Sequence, residues 1–158
     1  MKVFISHSSK DIAPSERIER ALEKDGHEVW LDRSDIRLGV LLRGELHAAI
    51  RESQAVVLVW SKAAAASRWI AAEMLLAFHL KRFIVPCVVD KTPLPQFLEN
   101  SVYLNFLTSE KDALRSLRRE IPGVPRNANP FLKMMSSQSA DLQEAIQLIA
   151  HDQNVELA

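Results

Sequence analysis

A tryptophan and a glutamate four residues apart, in Ser67-Arg68-Trp69-Ile70-Ala71-Ala72-Glu73, are the residues of this chain best placed to do chemistry. That spacing is one helical turn, so the indole and the carboxylate share one face of a helix. The surrounding segment, Ser67 to Leu80, is apolar on most sides, which predicts a deeply buried helix. A carboxylate in such a place needs a partner or a purpose. Taken alone, a glutamate of this kind is more often a structural group bonded to a neighbouring backbone or cation. The alternative is a carboxylate that meets a sugar. Breaking a glycosidic bond builds positive charge on the ring; a desolvated carboxylate stabilises that charge and accepts hydrogen bonds from the hydroxyls, while Trp69 supplies an aromatic wall.

Further polar groups follow short apolar runs. Ser6-His7-Ser8-Ser9-Lys10-Asp11 comes after the first run, Asp32-Arg33-Ser34-Asp35-Ile36-Arg37-Leu38-Gly39 after the second, Ser61-Lys62 after the third and Asp90-Lys91 after the fourth. Each is ordinary turn and capping chemistry by itself. Together they matter because open parallel sheets bind ligands beyond the carboxyl ends of their strands.

The elements that must position these groups alternate in type. Lys2 to Ser6, His27 to Leu31, Ala55 to Trp60, Phe83 to Val89 and Val102 to Phe106 read as strands, separated by segments of helical period. This alternation is the mark of an α/β fold, a five-stranded parallel sheet with helices on both faces. In the first crossover Ile18, Ala21 and Leu22 make the inward face, with Pro14 suited to a first turn and Gly26 to a C-terminal cap. The second places Leu42, Leu46, Ala49 and Ile50 on one face, and the fourth connection, Asp90 to Ser101, is more loop than helix. In the last helix, Glu110 to Ile121, the inward residues are Leu114, Leu117 and Ile121, and Lys111, Arg115, Arg118 and Arg119 point outward. The run Pro122 to Pro130 then breaks all periodicity, dividing the chain into a domain at 1–121, a linker at 122–136 and a tail at 137–158. Leu142, Ala145, Ile146 and Ile149 give the tail an amphipathic stripe, with Ser139 as N-cap; this helix either folds back on the domain or meets another subunit.

Several chemistries are excluded or disfavoured. Twenty basic and twenty acidic side chains leave no broad basic field to attract nucleic acid or anionic lipid. The single cysteine, Cys87, lies in an apolar run and reads as a buried small hydrophobe, which excludes a disulfide framework. His7, His27, His47, His79 and His151 lack ligand spacing, so no metal is expected. The four glycines form no phosphate loop, and the strand ends lack the acid pair, aspartate and lysine of a receiver domain. A triad of Ser8, His7 and Asp11 can be written down, but adjacent residues at one strand end rarely point together. With no signal peptide and no apolar stretch long enough for a bilayer, a cytoplasmic location and no membrane partner are expected.

Over about Lys2 to Ile121 the chain resembles the Toll/interleukin receptor (TIR) family in its bacterial form. The first box of the family is similar to Val3-Phe4-Ile5-Ser6-His7-Ser8-Ser9-Lys10-Asp11. The second resembles Val29-Trp30-Leu31-Asp32 through Asp35-Ile36-Arg37-Leu38-Gly39, the BB loop, and on to Ser53. Trp69 and Glu73 match the W-x-x-x-E pattern, and Ile84-Val85-Pro86 also looks like the family.

The resemblance implies a flavodoxin-like sheet and hydrolysis or cyclisation of NAD+ with release of nicotinamide, in a setting of bacterial immunity. NAD+ is then the substrate, and no cofactor is implied. Carried over by position, Glu73 is catalytic, Trp69 lines the nicotinamide-ribose pocket, His7, Ser8 and Ser9 contact substrate, and Arg33, Ile36 and Leu38 form the BB-loop side of the site. The implied protein partners are other TIR domains, by self-association. Two other functions compete with this one: a non-catalytic TIR adaptor, in which Glu73 is structural, and nucleoside deoxyribosyl transfer. The first loop lacks the arginines of some animal members, and the tail matches no part of the family pattern.

Overall fold

Valine, isoleucine and phenylalanine dominate the short runs, and side chains so stiff at Cβ pack well on a pleated surface. The computed structural model describes residues 1–31 and 41–121, with the side chains of 41–46 excepted. Its strands are β1 (Lys2–Ser6), β2 (Glu28–Leu31), β3 (Ala55–Trp60), β4 (Phe83–Val88) and β5 (Leu104–Asn105). All pair in parallel, in the order β2-β1-β3-β4-β5. β3 is buried along its whole length, as a central parallel strand covered on both faces must be.

Helices α1 (Ile12–Lys24) and α5 (Glu110–Glu120) cover one face, and α2 (Leu41–Glu52) and α4 (Arg68–His79) cover the other. The strand period of two sorts the core accordingly. Val3, Ile5, Val57 and Cys87 pack with Ile18, Leu22, Leu117 and Ile121, whereas Phe4, Val56, Leu58 and Ile84 pack with Ile50, Ile70, Met74 and Phe78. Cys87 is fully buried, and burial pushes its thiol far up, so it acts as a small hydrophobe. Outside the core, Arg118 grips Asp25 through two bonds of 2.5 and 2.7 Å, and Arg17 pairs with Glu110. Both pairs tie the α1 side of the sheet to α5, so the outward face of α5 is partly committed to holding this layer together.

Three details depart from the sequence reading. A short helix, α3 (Lys62–Ala65), lies between β3 and α4, because Ser61 and Ser67 each cap a separate helix by accepting from Ala64 N and Ile70 N. The last strand is only two residues long: it meets β4 only at Cys87 and Val88, and Val102 and Tyr103 stand outside it, exposed. On α5, Ala113 is buried while Leu114 is only half-buried. The expected linker and tail, and the side chains of Leu42 and Leu46, lie outside the described residues. Among the described residues no helix is long and apolar enough to cross a membrane.

Two helices end in the same capping motif with different residues. After α1, the Gly26 N–H donates to the Glu23 carbonyl and the His27 N–H to the Leu22 carbonyl, with Gly26 at φ +85°. After α4, Lys81 occupies the equivalent position at φ 59°, its N–H on Phe78 O and the Arg82 N–H on Ala77 O. A lysine Cβ is strained there and glycine is not. Lys81→Gly is therefore expected to stabilise the domain by about 0.5–1 kcal/mol in chemical denaturation; a lower midpoint would show that the Lys81 side chain contributes more than its backbone strain costs.

His27, in the same α1 cap, has both ring nitrogens buried without a hydrogen-bond partner among the described residues. Burial, helped by the chain's amino terminus and opposed by Asp25, holds its imidazole below the ordinary value of 6.5. The unfolded chain therefore binds a proton that the folded chain resists. Stability is complete above the ordinary value and is lost as pH falls through that value toward the lower folded one. Between about pH 7.5 and about pH 5.5 the melting temperature of the wild type is expected to fall more than that of His27→Leu. Parallel slopes would mean that the ring gains a proton without cost.

Candidate active site

The connections leaving β1 and β3 run over opposite faces of the sheet, which makes the carboxyl ends of these adjacent strands the switch point at which open parallel sheets place ligands. Ser6 is the last residue of β1 and shares the strand face of Phe4, which points toward α2 and α4. From the other side, the Ser67 cap starts α4 beyond the end of β3, and the helix carries Glu73 in its second turn. The two meet: the Ser6 hydroxyl donates to Glu73 Oε2. Both residues are almost sealed from solvent, at 1% and 3% exposure, so the carboxylate has given up its water and the hydroxyl offsets part of that loss.

Trp69 lies one turn before Glu73 on the same side of α4, half-buried against the core beneath it. Its indole N–H is buried and has no hydrogen-bond partner among the described residues. His7 and Ser8, both half-buried, and exposed Ser9 extend from Ser6 at the same strand end. His7 Nδ1 lies 2.8 Å from its neighbour's carbonyl, Ser8 O, and the Ser8 hydroxyl caps a 3-10 turn at Ser9–Asp11 by accepting from Lys10 N. These are local turn bonds. The Asp11 carboxylate accepts from the Ser61 hydroxyl.

A second layer of bonds frames this edge. Ser61, whose hydroxyl donates to the Asp11 carboxylate, also caps α3. Asp90, just beyond β4, accepts from Lys62 N and Thr92 N, both at 2.8 Å, and the Trp60 indole donates to Pro93 O at 2.8 Å. Burial works to raise the Asp90 carboxyl, but hydrogen bonds from Lys62 and Thr92 outweigh it and hold the group below its ordinary value. The loops after β1 and β4 are thus both fastened to the start of α3, which makes the frame around Ser6 and Glu73 stiff.

Glu73, Trp69, His7, Ser8 and Ser9 therefore gather on the carboxyl edge of the sheet, while Arg33, Ile36 and Leu38 lie outside the described residues. The Ser6 contact and the Asp11 to Ser61 tie had no local signal, being set by pairings across 67 and 50 residues. Among the described residues no cluster of His, Cys, Asp or Glu could hold a metal ion. A carboxylate fixed in low dielectric, one helical turn from an indole, is equipped to stabilise a developing cation or to accept a proton.

Residues 3–119 match the family described as TIR domain. No curated protein matches the chain. Among solved structures it is similar to the TIR domain of the Toll-related receptor TRR-2 of Hydra magnipapillata, at TM-score 0.66 and 20% identity, over 76% of this chain and 97% of that one. It is also similar to the CMP N-glycosidase BcmB of Clostridium botulinum, at TM-score 0.56 and 20% identity, over 74% and 98% of the two chains. A third likeness is to the TIR domains of the activated Roq1 resistosome that recognises the pathogen effector XopQ, at TM-score 0.53 and 22% identity, over 96% and 98%.

Proposed function

The chain belongs to the TIR domain family, and within that family we propose that it is an NAD+ nucleosidase with Glu73 as its catalytic carboxylate. The observation that carries this reading is the placement of Glu73: a buried carboxylate held at the switch point of the sheet, one helical turn from Trp69. In the reaction the bond between C1′ of the ribose and the nicotinamide nitrogen breaks. Nicotinamide leaves neutral with the electron pair of that bond. The sugar becomes cationic, Glu73 stabilises it, and water attacks C1′ and loses a proton to give ADP-ribose; attack by an adenine nitrogen gives the cyclic product instead. Trp69 lines the ribose and nicotinamide pocket, His7, Ser8 and Ser9 contact the substrate, and Arg33, Ile36 and Leu38 approach it from the BB loop. The activity would deplete NAD+ or make a nucleotide signal in immune defence, with assembly through other TIR domains.

The fold shared with a CMP N-glycosidase is consistent with N-glycosidic chemistry, and it supplies the competing substrate. Purified protein at high concentration, incubated in parallel with NAD+ and with CMP, is expected to release nicotinamide. Release of cytosine alone would move the substrate to nucleoside monophosphates, and release of neither base would return the protein to the adaptor class.

A further inference from the structure

We infer that Ser6 is the positioning residue of Glu73, fixing the carboxylate in the orientation in which it acts; this rests on the reading of Glu73 as catalytic. A glutamate side chain has several rotatable bonds, and the helix backbone restricts mainly the first of them. A contact that holds its far end comes from the sheet, through the Ser6 hydroxyl. Ser6 ends β1, an interior strand that pairs with β2 on one side and β3 on the other, where Ser6 is in register with Leu58. Its side chain has a single heavy-atom torsion, so the place of its Oγ is tied closely to the strand, and the hydroxyl hydrogen turns about Cβ–Oγ to meet the carboxylate.

The bond has a second consequence. At 3% exposure the Glu73 side chain has lost its water, and the Ser6 donor aimed at Oε2 replaces part of that lost solvation. Position 6 therefore needs a small residue that carries a donor. Alanine removes the donor, threonine keeps it with one added methyl, and cysteine keeps the size with a weaker donor.

The test compares Ser6→Ala, Ser6→Thr and Ser6→Cys, reading nicotinamide release against NAD+ concentration. Ser6→Ala is expected to lower kcat by about ten- to a hundredfold, with KM changed by less than about twofold. Ser6→Thr should restore most of kcat, and Ser6→Cys should fall between them. In a Glu73→Gln background Ser6→Ala should add almost nothing, since its effect runs through the charged carboxylate. A purely structural serine predicts the opposite pattern, with losses that follow melting temperature and persist in the Glu73→Gln background. Should Ser6→Ala not fold, the threonine and cysteine pair carries the same comparison. A crystal structure of Ser6→Ala, or of Ser6→Cys in its place, judges the inference without activity: a displaced or multiply oriented Glu73 carboxylate supports it, and an unmoved one overturns it. A wild type that releases no nicotinamide defeats the proposed function alone, and the crystal structure then still decides whether Ser6 orients Glu73.

Discussion

Replacing Glu73 by glutamine is expected to lower nicotinamide release by a factor of about a hundred or more while leaving the fold intact. Glutamine keeps the volume of the side chain, and its amide carbonyl accepts the Ser6 hydroxyl much as the carboxylate does. What disappears is the charge. In water that loss would count for little, but Glu73 is 3% exposed, and in low dielectric a full negative charge beside a forming cation is worth far more than a dipole. Because the charge matters mainly when the sugar becomes cationic, the loss belongs in kcat rather than KM. A structural carboxylate predicts a different outcome. Breaking a buried ion pair typically costs about 3–5 kcal/mol and would show as a large drop in melting temperature. Nicotinamide release and thermal unfolding measured on one preparation separate the two, and a folded Glu73→Gln protein with undiminished turnover removes Glu73 from the mechanism.

The parts of this site that could be read in the sequence are those encoded locally. Trp69 and Glu73 announce themselves because one helical turn separates them, and the strands β1, β3 and β4 because β-branched runs are bounded by polar turns. Gly26 was legible as a cap since a left-handed residue after a helix favours glycine, whereas Lys81 in the same conformation carried no such sign. The contacts that fasten the site are of another kind. Ser6 meets Glu73, and Asp11 meets Ser61, only after β1 and β3 have paired in one register, and a slip of one residue would turn Ser6 to the opposite face. No window of sequence contains that information. The short α3 has no local sign for a related reason: Ser61 and Ser67 are both good caps, and which of them starts the helix is not a local question, since each starts one of its own.

Turnover per molecule is expected to rise with protein concentration, in the dilute limit by about tenfold for each tenfold increase, as mass action requires of a site completed by a second copy. The reason lies in how Glu73 is covered. At 3% exposure its carboxylate does not face solvent, so a nicotinamide ribose reaches it only after covering groups move. Opening a packed edge costs free energy, and within one chain the ties from Asp11 to Ser61, and from Asp90 to Lys62 and Thr92, resist it. Association with a second TIR domain supplies a source of that free energy, because contacts made only in the open form shift the population toward it. The BB loop carrying Arg33, Ile36 and Leu38 is the segment that the family resemblance assigns to such contacts. The measurement is a dilution series with nicotinamide release normalised to protein, without crowding agents, paired with sedimentation of the same samples. Specific activity should climb over the range in which mass increases and level off once association is complete. Constant specific activity across the series, with the protein monomeric throughout, would mean that a single chain opens and closes its own site.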